Sequence, residues 1–336
     1  MKKIFFPFTV LLLIVFHSCM DEPAIQPNTA KGNFKALWEI IDTRYCYLDY
    51  KKINWDSVYN VYEPRVNKIK TKYEFFDLMA GMLAVLKDGH VNLYSEFDQS
   101  RYWKWYSDYP ANFNSDVIFN ERYLGSDYRI AGGFRYKKIA NGNVGYMYCG
   151  SFSTGFSNTQ IKSILDIFSG CKGLIIDVRN NGGGTLTNAE QLASYFFKEK
   201  TLTSYISHKT GNGHSDLSKP KAVYTSPNEN IQWQRPVMIL TNRMSYSATN
   251  DFVCRMQYAP NSFIIGDQTG GGGGLPFSSE LPNGWMIRFS ASPSFNAEME
   301  NIEWGIQPDI KIDIDTTYEK MGYDTIIERA VMEILK

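Results

Sequence analysis

One serine in this chain stands where nucleophilic chemistry would be easy. Ser247 lies in Thr241-Asn242-Arg243-Met244-Ser245-Tyr246-Ser247-Ala248-Thr249-Asn250-Asp251-Phe252, after the apolar run Val237-Met238-Ile239-Leu240 and before helical spacing through Phe252 and Met256. The apolar run predicts a buried strand, which puts the serine on a tight turn from strand into helix. There the Oγ is presented at the strand end, and the unpaired N–H groups of the first helical turn can stabilise negative charge. A serine at a helix start also acts as an N-cap, so nucleophile and cap both stand as readings of this stretch.

Two glycine-rich stretches follow other strand-like runs: Arg179-Asn180-Asn181-Gly182-Gly183-Gly184, and Asp267-Gln268-Thr269 with Gly270 to Gly274. Neither is followed by Gly-Lys-Ser/Thr, and neither has G-x-G-x-x-G opening a helix, so a phosphate cradle is not indicated. Glycine also lets backbone N–H groups approach a substrate closely, which is the geometry an oxyanion hole requires. For Gly270 to Gly274 a flexible surface loop is the competing reading. His90 follows the turn residues Asp88-Gly89 and is either a structural hydrogen-bonder or a base.

The elements that would position these residues are legible as well. Phe34, Leu37, Trp38 and Ile41 have helical spacing, as do Trp55, Val58, Tyr59 and Tyr62 with Asp56 near the helix start, and Tyr73 to Leu86 makes a third helix. Together they predict a small helical bundle ending at the Asp88-Gly89-His90 motif, residues 33–95. Residues 96–135 read as a connecting segment with strand-like pieces. From 136 to 336 strands and helices alternate: strands at Val144 to Tyr148, Gly173 to Val178, Val237 to Leu240 and Phe263 to Gly266, helices at Thr159 to Phe168 and Ala189 to Phe197. Such alternation predicts an α/β domain with a mostly parallel sheet, its ligand site outside the carboxyl ends of the strands.

The 336 residues carry 35 basic and 35 acidic side chains, so no charge excess points to nucleic acid or an anionic membrane surface. The histidines at 17, 90, 208 and 214 and the cysteines at 19, 46, 149, 171 and 254 show no metal-ligand spacing, so neither metal nor cofactor is expected. Lys2-Lys3 followed by the apolar Ile4 to Phe16 reads as a signal peptide, residues 1–18. It ends in Phe16-His17-Ser18-Cys19, which resembles a bacterial lipobox and implies lipidation at Cys19, a tether over 19–32, and a lipid-anchored place in the bacterial cell envelope. An ordinary secretory signal is the alternative.

In combination, DGHVNLYS (88–95), GYMYCGSF (145–152), GLIIDVRNNGGG (173–184), LTNRMSYSATNDF (240–252), IIGDQTGGGGG (264–274) and IEWGIQPDI (302–310) resemble the tail-specific (C-terminal-processing) and tricorn-type serine peptidases. The resemblance implies a ClpP/crotonase-type α/β core and peptide-bond hydrolysis by serine acylation, with a peptide or unfolded protein as substrate. It implies Ser247 as nucleophile, the Ala248 N–H as one oxyanion donor, and Gly183 or, next, Gly184 as the other. No lysine lies between Ser247 and Lys311, so the processing branch's Ser/Lys dyad has no candidate. The tricorn branch's pattern instead makes His90 the base and Glu303 the orienting carboxylate, with Glu300 three residues away. Gly89 stands where that branch has a second serine, and residues 91–144 are too few for the PDZ domain many members carry. A non-catalytic binding protein for apolar ligands or peptides on the same scaffold is the alternative. A crotonase-like acyl-transfer enzyme is a third reading, without a recognised CoA-binding signature.

Overall fold

The computed structural model describes residues 26–336; the signal segment and Cys19 lie outside the described residues. The strands in chain order are β1 Asn92–Tyr94, β2 Arg129–Ala131, β3 Phe134–Ile139, β4 Val144–Cys149, β5 Gly173–Asp177, β6 Thr201–Ile206, β7 Lys221–Thr225, β8 Val237–Thr241, β9 Ser262–Gly266, β10 Gly274–Glu280, β11 Met286–Asn296 and β12 Ile310–Lys311. Seven form one sheet in the order β12-β9-β8-β5-β4-β3-β2. The pairs from β12 to β4 are parallel, and β3 and β2 join antiparallel. This is the parallel-rich α/β sheet the alternation predicts.

All five residues of β5 and of β8 are buried, because both faces of the sheet are covered. One face packs against helices Asn158–Ile167, Leu186–Ser194 and Ala248–Met256 through Ile161, Leu192, Phe252 and Val253. The opposite face meets helix Thr325–Leu335 through Ile326, Ile327 and Ala330, together with Ile118 and Leu124. Each buried Ile, Leu, Val or Phe among them contributes about 1.5–3 kcal/mol by leaving water, and the same burial on both faces is why these strands read so clearly as apolar runs.

The N-terminal lobe holds helices Ala30–Arg44, Trp55–Val66 and Lys72–Ala84. Thr29, Asn54 and Thr71 cap them by accepting from Gly32, Ser57 and Glu74 N–H respectively. Asp56 sits in the first turn after its Asn54 cap, where its charge favours the helix dipole. The lobe is not a self-contained bundle. Phe34, Leu37, Phe76 and Met79 share their core with Leu281, Trp285, Ile287 and Phe289 near and along β11, and β1 pairs with β11. That pairing belongs to a second sheet, β1-β11-β6-β7 with β10 alongside β11. Residues 96–135 form two short helices, Lys104–Ser107 and Ser115–Ile118, the short strand β2 and the first two residues of β3.

Candidate active site

The turn after β8 is held by side chains that the strand end itself supplies. Asn242 Oδ1 accepts from the backbone N–H of Asn180 (3.0 Å) and Met244 (3.1 Å), and its Nδ2 donates to Ala111 O (2.8 Å). Ser245 Oγ donates to Val178 O at 2.8 Å, tying the turn to the end of β5. Ser247 N–H donates to Gly271 O (2.9 Å) and Tyr246 N–H to Asn181 O (3.1 Å), so the loops after β5, β8 and β9 meet at one point. Ser247 is left with φ 60° and ψ −120°. A non-glycine residue there costs about 1–3 kcal/mol, and the surrounding hydrogen bonds hold the strain. Its side chain makes no capping bond to helix Ala248–Met256. It contacts His90 instead.

His90 Nε2 lies 3.0 Å from Ser247 Oγ. The histidine is held by Asp88, whose Oδ1 accepts the His90 backbone N–H at 2.7 Å, and by the Tyr246 ring at 4.9 Å between centroids. Burial pushes the imidazole down to about 4, with Asp88 opposing and Arg288 assisting. It is therefore neutral at neutral pH, the form able to take a proton. Gly89 has no room for a larger residue: a Cβ would meet Trp105 Nε1 at 2.7 Å and Tyr246 Oη at 2.9 Å. That packing explains glycine where the tricorn branch has serine.

Behind the histidine lies a buried ion cluster. Lys51 Nζ, from the N-terminal lobe, is 2.7 Å from Glu303 Oε1 and 3.7 Å from Asp88 Oδ2. Asp88 Oδ2 also accepts from Tyr45 Oη (3.0 Å) and Ser290 Oγ (2.9 Å). Burial and the neighbouring Asp88 charge raise Glu303 to about 8, against the pull of Lys51. Glu303 makes no hydrogen bond to His90 in this arrangement. Yet Glu303 Oε2 and His90 Nδ1 are both buried and both without a hydrogen-bond partner among the described residues. Glu300 is exposed and is tied to Asn296 at 2.9 Å, outside this cluster.

The glycine loops supply backbone donors. Gly183 has φ +102°, and a Cβ there would lie 2.9 Å from Ser247 Cβ and 3.0 Å from Ala248 N, so only glycine allows this approach. Its N–H is already taken, donating to Asn181 Oδ1 at 3.0 Å. The N–H groups of Gly184 and Ala248 have no internal partner among the described residues. Gly270 to Gly274 is not a free surface loop: Gly270 N–H donates to Ser245 O, Gly272 N–H to Glu303 O, and Gly273 O accepts from Ser294 N–H.

Ser247 opens on two clefts. One, of about 390 Å³, lies under Tyr102, Trp103 and Trp105. The other, of about 380 Å³, is lined by apolar groups that include Leu186, Ile206, Val223 and Pro276. Asp88, Lys51, Tyr246 and Arg288 were not singled out from sequence. Asp88 and Tyr246 carried a signal, two positions before His90 in DGHVNLYS and directly before Ser247 in LTNRMSYSATNDF; Lys51 and Arg288 lie outside the quoted motifs.

A serine on a strained strand-to-helix turn at the carboxyl end of a parallel strand, in contact with a histidine, is the geometry that serine nucleophiles on α/β sheets use. The family described as Peptidase family S41 matches residues 143–312, half of the chain, and the chain belongs to it. Residues 26–84, the helical lobe, match the Tricorn protease C1 domain. The chain is similar to the carboxy-terminal processing protease CtpA of Bacillus subtilis (strain 168), 25% identical over 194 residues, which cover 56% of this chain and 39% of that one. It matches the carboxyl-terminal-processing protease of Picosynechococcus sp. at 24% identity, covering 57% of this chain and 45% of the other. The chain thus spans less than half the length of these curated relatives. Among solved structures, a protein from Parabacteroides merdae ATCC 43184 provisionally described as a peptidase is 49% identical, with TM-score 0.89 and coverage of 92% and 98%. Mature CPAF complexed with lactacystin shares the fold at 12% identity, TM-score 0.66 and coverage of 91% and 97%. The core is of the ClpP/crotonase type.

Proposed function

We propose that this protein hydrolyses peptide bonds through an acyl-enzyme on Ser247. The observation that carries the reading is the 3.0 Å contact of His90 Nε2 with an uncapped, strained Ser247. Ser247 Oγ attacks the scissile carbonyl as its proton passes to His90 Nε2. The oxyanion falls to the Ala248 N–H and, because Gly183 is engaged by Asn181, to the Gly184 N–H. The proton then moves to the leaving amine, and a water repeats the sequence to release the acid and restore both side chains. We assign Glu303 Oε2 as the acceptor for His90 Nδ1–H: both atoms are buried without a hydrogen-bond partner in this arrangement, and the imidazolium charge, once formed, favours the ionised carboxylate of a Glu303 otherwise raised to about 8. The two clefts would seat the chain on either side of the scissile bond, so the substrate is an extended peptide or unfolded segment.

The test is labelling with a fluorophosphonate, the adduct located by mass spectrometry. A single adduct on Ser247, lost in His90→Ala, is expected. A folded protein that takes no label at Ser247 overturns the reading. Labelling that survives His90→Ala overturns the role of the histidine alone.

A further inference from the structure

We propose that Arg288 forms a subsite for a substrate carboxylate beside the scissile bond, an inference that rests on the peptidase reading above. Arg288 stands on β11, paired across from Asn92 of β1, and lines both clefts together with Ser247 and His90. The cleft beneath the aromatic segment is lined by two arginines and no carboxylate. Arg101, the other one, is half exposed, 3.8 Å from Asp98 and set against the Trp103 ring. In the second cleft Arg255 is held by Asp251 at 2.7 Å. Asp251, the one acidic residue lining that cleft, is thereby committed. Arg288 alone of the cleft cations has no acidic partner, hydrogen bond or aromatic ring under its guanidinium among the described residues.

An unpaired guanidinium at this place works against the base, because its charge disfavours the imidazolium on His90. A carboxylate delivered by the substrate would neutralise it at the moment the base must take a proton. The planar fork of arginine binds a carboxylate through two parallel hydrogen bonds, which fixes orientation as well as charge. Two sources carry this group: the free C-terminus of the substrate chain, or an Asp or Glu side chain next to the cleaved bond.

The test is free of turnover. Ser247→Ala protein is titrated with fluorescent peptides in matched pairs, one pair differing in a terminal carboxylate or amide, the other in an internal Glu or Gln. One carboxylate peptide should bind about tenfold more tightly than its neutral twin, roughly 1.4 kcal/mol. The gap should close to under about twofold in Ser247→Ala/Arg288→Gln and persist in part with Arg288→Lys. The pair that shows the gap identifies chain end or side chain. Equal binding of both pairs, no binding at millimolar peptide, or a gap unchanged by Arg288→Gln overturns the subsite. Fluorophosphonate labelling of the wild type reports the underlying reading separately, since a labelled Ser247 with no gap removes only the carboxylate subsite.

Discussion

Two buried clusters in this molecule have the same charge count, one cation and two carboxylates, and opposite characters. In the first, Arg179 donates to both oxygens of Asp177 at 2.9 and 2.6 Å, to Asp324 Oδ2 at 2.8 Å and to Asn112 O at 3.2 Å. Tyr146 Oη adds a donor to Asp177, and Asp324 Oδ1 caps helix Thr325–Leu335. The rigid five-donor fork fills every acceptor, and the result is a staple joining β5 to the C-terminal helix. In the second, Lys51 Nζ donates to Glu303 Oε1 at 2.7 Å and to the carbonyls of Leu86 at 3.1 Å and Lys87 at 3.4 Å, with Asp88 Oδ2 only an ion-pair neighbour at 3.7 Å. Glu303 Oε2 is left over, and His90 Nδ1, which follows Asp88 by two residues, is equally unpaired among the described residues. An incompletely satisfied buried cluster adjusts its charge by binding a proton, and such groups gather where a site has work to do. Arginine builds the scaffold; lysine leaves room for titration.

The largest effect should come from breaking the staple. Arg179→Met leaves two carboxylates buried without a cation and should cost about 3–5 kcal/mol, read as a lower urea midpoint. A loss below about 1 kcal/mol would mean that the two clusters do not differ as argued. Next, the acid limb of kcat/KM should follow the His90 value of about 4. Activity at pH 5 should stay close to that at pH 7, whereas a histidine with an ordinary value near 6.5 would retain only about 4% of it. Because the folded value is depressed, this histidine's contribution to stability is present above 6.5 and is lost as pH falls through 4. The smallest effect concerns Glu303→Gln. Glu303 is raised to about 8 when folded, so the stability it contributes is complete below its unfolded value and lost as pH rises through 8. Wild type should therefore lose stability relative to Glu303→Gln between pH 5 and 9, while the variant lowers kcat by roughly ten- to a hundredfold if Glu303 orients the imidazolium. Equal kcat would remove Glu303 from the mechanism and leave Asp88 as the carboxylate that holds His90.

Much of the scaffold could be read in advance because burial on both faces imposes a pattern. Val237–Thr241 and Gly173–Asp177 are continuous apolar runs for that reason, and the helices covering them show 3.6-residue spacing. The second sheet went unread. β10 and β11 run through GLPFSSE and MIRFSASPSFN, where proline, serine and half-exposure erase the alternation that marks a strand. The same sheet ties the N-terminal helices to the body of the molecule, so a lobe that reads as a separate bundle shares its core with Trp285 and Ile287.

At the site the division is just as clear. Family, residue types and the order of the loops were legible along the chain, since strand–turn–helix chemistry and glycine runs are local properties. Whether Ser247 caps a helix or faces a histidine was decided by tertiary structure, because His90 lies 157 positions away, just before β1 of the second sheet, and only the folding of that segment against the turn after β8 brings the two to 3.0 Å. Tertiary structure alone also showed that the Gly183 N–H is taken by Asn181 and that Lys51 pairs with Glu303 across 252 positions. Hydrogen-bond partners and buried charges depend on what else fills the same space, and no local pattern records that.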